Sequence, residues 1–179
     1  MIRDIKNAKY DIIQVKQTVK NRLWKDPDII ETLNNPLLDL GEDGSCSGAL
    51  GVNIFDFIRI PDTQDEVRNF ICFEAETERQ SYTNDKMKMM NLIFFCISHQ
   101  DDIKTESGIP RCDVLGYLVN DLIAWSESLV NGTQWKEFYN KTQILDMKWH
   151  VRIIKFQADT PSNISDHMLG NRYERVQRT

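Results

Sequence analysis

The sequence predicts a single α+β domain, a mostly antiparallel β-sheet packed by an N-terminal helix and a central amphipathic helix. Three observations predict it. Met87–Ser98 is apolar in both parities, as a strand covered on both faces must be. Phe70–Thr77 alternates Ile71, Phe73 and Ala75 with Cys72, Glu74 and Glu76, the mark of a strand half buried at its C-terminal end. After Pro110, Val114, Leu115, Leu118, Val119, Leu122, Ile123 and Trp125 recur at helical spacing.

In chain order, Ile5, Ala8, Ile12, Val15, Val19 and Leu23 form one apolar stripe on an N-terminal helix, with Lys6, Lys9, Lys16 and Lys20 on its other faces. The stripe is too short to establish a coiled-coil seam, so packing against the chain's own sheet is expected. Asp26-Pro27 supplies an N-cap and a first-turn proline for a short helix through Ile29, Ile30 and Leu33, which Asn35-Pro36 ends. Gly41–Gly51 reads as a flexible loop, and Val52–Pro61 as a strand stopped by its proline. The connection between the two central strands, Arg79–Asp85, is long for a hairpin and projects. Asn131-Gly132 stops the amphipathic helix. In the last sheet segment Trp149, Val151 and Ile153 point inward, and then Ile154, Phe156 and Ala158 continue out of phase. That slip predicts a β-bulge at Ile153–Ile154. The domain is expected to span 1–161, with 162–179 a polar docking arm.

Composition narrows the function. The chain has 179 residues, 41% hydrophobic and 27% charged, enough to bury one core and too apolar to stay disordered. A net charge of −5 counts against a dedicated nucleic-acid binder, which needs clustered cations to neutralise phosphates. Cys46, Cys72, Cys96 and Cys112 contain no C-x-x-C pair and match no zinc framework, so reduced structural thiols are expected. The N-terminus carries charges throughout, so no signal peptide is expected, and no run approaches the ~20 apolar residues of a membrane span.

No catalytic, cofactor-binding or metal-binding residue emerges. Gly41–Gly51 lacks the Gly-Lys-Ser/Thr ending of a phosphate loop and leads into a strand instead of a helix. His99, with Asp101 and Asp102, has no ligand spacing, and His150 and His167 are isolated, so a solvated linker is the expected role of residues 99–110. Glu74, Glu76 and Glu78 lie near Asp85, Lys86 and Lys88, but the Glu-x-Lys that a metal-dependent nuclease places after its acidic strand is missing. The basic and aromatic set Arg172, Tyr173, Arg175 and Arg178 suits protein docking better than nucleic acid in an acidic chain.

The segments IPDTQDEVRNFICFEAE, NLIFFCISHQDD, GIPRCDVLGYLVNDLIAW and VRIIKFQADTPSNI, roughly 60–164, carry a likeness in order and texture. In them the chain resembles the tail terminators of tailed bacteriophages, also called tail completion or neck proteins. The resemblance implies a subunit of a hexameric ring in the virion neck, assembled in the host cytoplasm. Such a ring halts tail-tube polymerisation and joins the tail to the capsid connector. It further implies contacts with the tail tube protein and the connector or head-completion protein. Genomic DNA would pass through the lumen without specific binding, and neither membrane nor cofactor would be involved. Read with it, Met87, Met89 and Met90, Tyr82 of the projecting turn, and Arg172, Tyr173 and Arg175 of the arm are the expected assembly interface. A head-completion adaptor of the neck and, from another class, a small metal-dependent nuclease remain the alternatives.

Overall fold

The computed structural model of the chain describes residues 12–59, 68–80, 87–124, 129, 134–145 and 148–161. The four-residue spacing of Val15, Val19 and Leu23 puts all three on one face of α1 (Ile12–Leu23), and all three are buried. They join the main core against the sheet, so the stripe serves the chain's own packing. Asp26 caps α2 (Pro27–Leu33) by accepting from the backbone N–H groups of Asp28 and Ile29, each at 3.1 Å. Pro27 occupies the first helical position, where its missing N–H loses no bond. Asn34, at φ 49°, ends the helix in the left-handed conformation.

Five strands form one sheet in the order β1-β2-β3-β5-β4: β1 (Ile54–Phe55), β2 (Asn69–Gln80), β3 (Met87–His99), β4 (Lys136–Leu145) and β5 (Trp149–Pro161). Only β1 is parallel to its neighbour. β3 lies at the centre, bonded to β2 on one edge and β5 on the other, which explains its two apolar parities. Met90, Leu92, Phe94 and Cys96 enter the main core; Ile97, with partly buried Phe95, enters a smaller cluster on the opposite face.

The helix α3 (Arg111–Ala124) covers the main core through Cys112, Leu115, Gly116, Val119 and Ile123, a stripe at three- and four-residue steps. Val114, Leu118 and Leu122 fall on its half-exposed margins. Beneath it Phe73 stacks on Phe94 at 5.6 Å, and Phe94 meets Phe156 edge-on at 6.0 Å. Burial of such side chains contributes roughly 1.5–3 kcal/mol each. All helices of the main core pack on this side, so the other face of the sheet carries no helix among the described residues.

The structure corrects four expectations. The strand over 52–61 shrinks to Ile54–Phe55, because Asp56, Phe57 and Ile58 turn away from β2 and leave Phe57 and Ile58 exposed. β5 has no bulge at Ile153–Ile154: its register with β3 runs unbroken from Trp149 to Pro161. Trp149 and Val151 fill the small cluster, while Ile154, Phe156 and Ala158 fill the main core, so the apolar side changes without a slip. The register shifts fall instead at Thr77/Arg79 and Glu137/Tyr139. Gly41–Gly51 is no free loop, since the Cys46 N–H donates to the Trp24 carbonyl at 2.9 Å and Cys46 and Ala49 are buried in the main core. The acidic linker is anchored likewise. Asp102 accepts from Asn34 Nδ2 at 3.0 Å and Asn69 Nδ2 at 2.7 Å, with Arg111 Nε 3.3 Å away. The projecting turn, Trp125 and the Asn131-Gly132 stop lie outside the described residues, as does 162–179.

Candidate assembly surface

Two surfaces carry no helix among the described residues, and they adjoin. The first is the outer edge of β4. Ten residues long, β4 pairs only with β5, and every one of its side chains except that of Tyr139 is exposed. Phe138 is 54% and Ile144 64% exposed on it. An edge of this length presents a row of backbone donors and acceptors to any passing chain. Lys136, Lys141 and the register shift at Phe138 are the devices that keep such an edge from pairing indiscriminately.

A polar chain of contacts sets the position of this edge. Arg152 of β5 donates from Nε to Asp113 Oδ1 at 2.8 Å and from Nη1 to Asn140 Oδ1 at 2.7 Å. Asn140 and Asn120 in turn donate to Glu137 Oε2, at 3.1 and 2.8 Å. Helix α3 is thereby tied through β5 to the first half of β4. An open groove of about 620 Å³ runs between them, past Tyr117, Asp121 and Trp135.

The second surface is the helix-free face of the sheet. One end of it is apolar: Phe55, Phe70, Cys72, Ile97, Trp149 and Val151 are buried against one another, with Phe70 and Trp149 rings 5.7 Å apart. Arg59 lies over the Phe55 ring at 4.9 Å. The other end is polar. Asn91 donates to Glu76 Oε1 at 3.4 Å and Glu78 Oε2 at 3.3 Å, and Gln157 donates to Glu78 Oε2 at 3.1 Å. Glu76 and Glu78, two apart on β2, reach these amides on the same side of the sheet. Lys155 and Lys141 both sit over the Tyr139 ring, at 5.3 and 5.5 Å.

The residues expected at the interface divide. Met90 is fully buried in the subunit's own core, because β3 sends its even-numbered residues under the helices, and it offers no surface. Met89, on the opposite parity, is half-exposed and lines a groove with Phe138 and Asp159. Met87 closes β3 opposite Pro161. Tyr82, Arg172, Tyr173 and Arg175 lie outside the described residues. Sequence reasoning missed β4 and with it Phe138, as well as Asn91, Gln157 and Asp159. The strand has no alternation to find, and the other three read as interruptions of apolar strands.

The residues weighed for chemistry are engaged structurally. Glu74 pairs with Lys16 across the sheet edge, and the His99 imidazole accepts from the Asp101 N–H at 3.2 Å. No group of three or more His, Cys, Asp or Glu among the described residues is placed to hold a metal ion. All four cysteines are free and buried. Burial pushes the Cys72 and Cys96 thiols up, and burial with the adjacent Asp113 carboxylate pushes Cys112 up to about 11. No described helix is long and apolar enough to cross a membrane.

A family model, YomW, matches residues 18–151. No curated protein sequence matches the chain. Among solved structures, a chain of the "Virion of native gene transfer agent (GTA) particle" shares the fold. The TM-score is 0.54 at 9% identity, over 86% of this chain and all of that one.

Proposed function

The chain belongs to the YomW family, and from its architecture we propose that it is a structural protein of a tailed-phage type of virion, a tail terminator. In this reading copies close into a ring at the head-proximal end of the tail, probed there by the tail tube on one side and the connector on the other. The ring stops tube growth and leaves a lumen for DNA. The protein works in the virion and is assembled in the host cytoplasm, with no cofactor and no catalytic step.

The observation that carries the reading is a pair of adjoining exposed surfaces, the β4 edge and the polar end of the helix-free face. A ring requires two different patches per subunit whose contact repeats by rotation until it closes. An unpaired ten-residue edge and the exposed polar end of a sheet face, at Glu76, Glu78 and Asp159, are patches of that kind. The fold shared with a chain of a gene transfer agent virion, over that chain's whole length, supports the same class. Against a nuclease stand the contacts of the β2 carboxylates: Glu74 is taken by Lys16, and Glu76 and Glu78 by side-chain amides.

Negative-stain imaging with light scattering tests this on purified protein, alone and with a tail tube protein. Closed rings, or monomers that form rings on the tube end, are expected. A strictly monomeric protein that cleaves DNA with Mg²⁺ and loses that activity in Glu74→Ala would replace the reading with the enzymatic one. Capping of the tube end separates a terminator from a head-completion adaptor, which would bind the connector alone.

A further inference from the structure

The two edges of the sheet differ in what closes them. On the β2 side, β1 pairs with Ile71 and Cys72. Next along it, the Ala75 N–H donates to Glu74 Oε1 at 3.1 Å, and Lys16 of α1 pairs with the same carboxylate. The register shift at Thr77/Arg79 then breaks the regular spacing. On the β4 side the backbone has no neighbour beyond β5 among the described residues. Alternation fixes which groups of β4 point out. The His99 N–H donates to the Arg68 carbonyl at 2.8 Å, and the Gln100 N–H to the Lys148 carbonyl at 2.7 Å. Odd residues of β3 therefore bond towards β2 and even ones towards β5. Carried through the registers, Tyr139, Lys141, Gln143 and Leu145 bond inward to β5, and Asn140, Thr142 and Ile144 present N–H and C=O outward. Every β4 side chain but that of Tyr139 is exposed, so neither face of the edge is crowded.

We propose that this edge pairs with the same edge of a second copy, antiparallel and centred on Thr142. That centre alone sets every outward residue against an outward residue. Asn140 of each copy faces Ile144 of the other and Thr142 faces Thr142, each pair exchanging both backbone bonds. A centre on Asn140 would send Thr142 to Phe138 at the register shift, and one on Lys141 would set two lysines directly opposite. In the chosen register Lys141 faces Gln143 and Tyr139 faces Leu145, so no like charges meet. The exposed Ile144 and Leu145 gain cover from the opposed strand. With the β2 edge taken or broken along its length, the sheet continues from copy to copy through β4 on both sides, a two-fold contact. The inference goes beyond the ring reading. Pairing occupies one of the two ring patches, so a pair parts before its copies join a ring. The contact is small and of the transient class, forming in concentrated solution and giving way on dilution.

Sedimentation equilibrium over a range of concentrations tests it on the full chain. Wild type should be a monomer when dilute and a dimer when concentrated. Thr142→Pro removes an outward N–H and no bond to β5, the kind of place where an edge strand tolerates proline. It should raise the dissociation constant about tenfold and leave the melting temperature little changed. Thr142→Lys, which sets two lysines face to face, should do the same with the backbone intact. Under mild oxidation Thr142→Cys should form a disulfide between copies, since opposed bonded residues lie about 5.5 Å apart at Cα. The native thiols are buried, and Ile144→Cys, roughly 14 Å from its counterpart, should not cross-link. A wild type that stays monomeric at every concentration, a dimer indifferent to both Thr142 substitutions, or cross-linking that does not favour Thr142→Cys overturns the pairing. Rings on tube ends from a protein that never pairs leave the terminator reading standing and sink the pairing; pairs that form no ring on tubes do the reverse.

Discussion

Gly116 of α3 faces Arg152 of β5 so closely that a Cβ on the glycine would overlap Arg152 Cδ and stand 3.1 Å from its Cγ. The missing side chain is the channel through which the arginine stem runs to reach Asp113 and Asn140. Because the guanidinium is held at both ends, the stem has little freedom to yield. Gly116→Ala should therefore cost about 1–3 kcal/mol in urea unfolding, as overpacking does. In an Arg152→Ala background the arginine is gone and only Ile154 Cδ1, 3.3 Å from the new Cβ and at the end of a side chain, stays close. The same substitution should then be neutral or stabilising, since Ala is favoured over Gly in a helix by about 1 kcal/mol.

Asn69 anchors β2 to the top of the helices. Its buried Nδ2 donates to the Leu33 carbonyl at 3.0 Å and to Asp102 at 2.7 Å. Asn69→Ala removes this donor from the Leu33 carbonyl and leaves Asp102 with Asn34 and Arg111, and a loss of about 1–3 kcal/mol is expected in denaturant titration. A change below ~0.5 kcal/mol would mean the network is incidental to stability.

Asp56 gives the protein a pH-dependent contact at the same end. Hydrogen bonding from Lys20 Nζ, 2.8 Å away, holds the carboxyl below the usual carboxylate range, opposed by partial burial. A depressed folded value stabilises above the unfolded value of about 3.9, and the contribution is lost as pH falls through the folded one. Asp56→Asn should lower the melting temperature at neutral pH, and the gap from wild type should close on acidification. A gap that stays constant with pH would contradict the ion pair.

The cysteines should be inert in the folded protein. With all four buried and three thiols pushed up, a disulfide reagent at pH 8 should react slowly with native protein and rapidly with four thiols in denaturant. Fast reaction of one native thiol would show that part of the core opens.

The sequence made the interior legible and left the rim obscure, for one physical reason. Burial writes a pattern: Val15, Val19 and Leu23 mark a helix face, and Met90, Leu92, Phe94 and Cys96 alternate into a core. β4 is open along its outer edge and exposed in its side chains, so KEFYNKTQIL carries no such pattern and passed for connecting chain. The change of apolar side along β5 looked like a bulge because two cores, one on each face, cannot be told from one core and a slip by parity alone. The anchoring of Asp102 and Cys46 was hidden in segments whose composition is that of loops. Met90 shows the limit at the candidate surface: surplus apolar residues on a central strand signalled burial, and the burial lies within the subunit.

The central claim is that the β4 edge and the polar end of the helix-free face exist to meet other copies of the chain. Imaging the purified protein on the ends of assembled tail tubes tests it most directly. The account predicts closed rings of one subunit type seated on one end of each tube, and tubes that stop growing once seated. Tubes that elongate unchanged, with the protein remaining monomeric in solution, would contradict it.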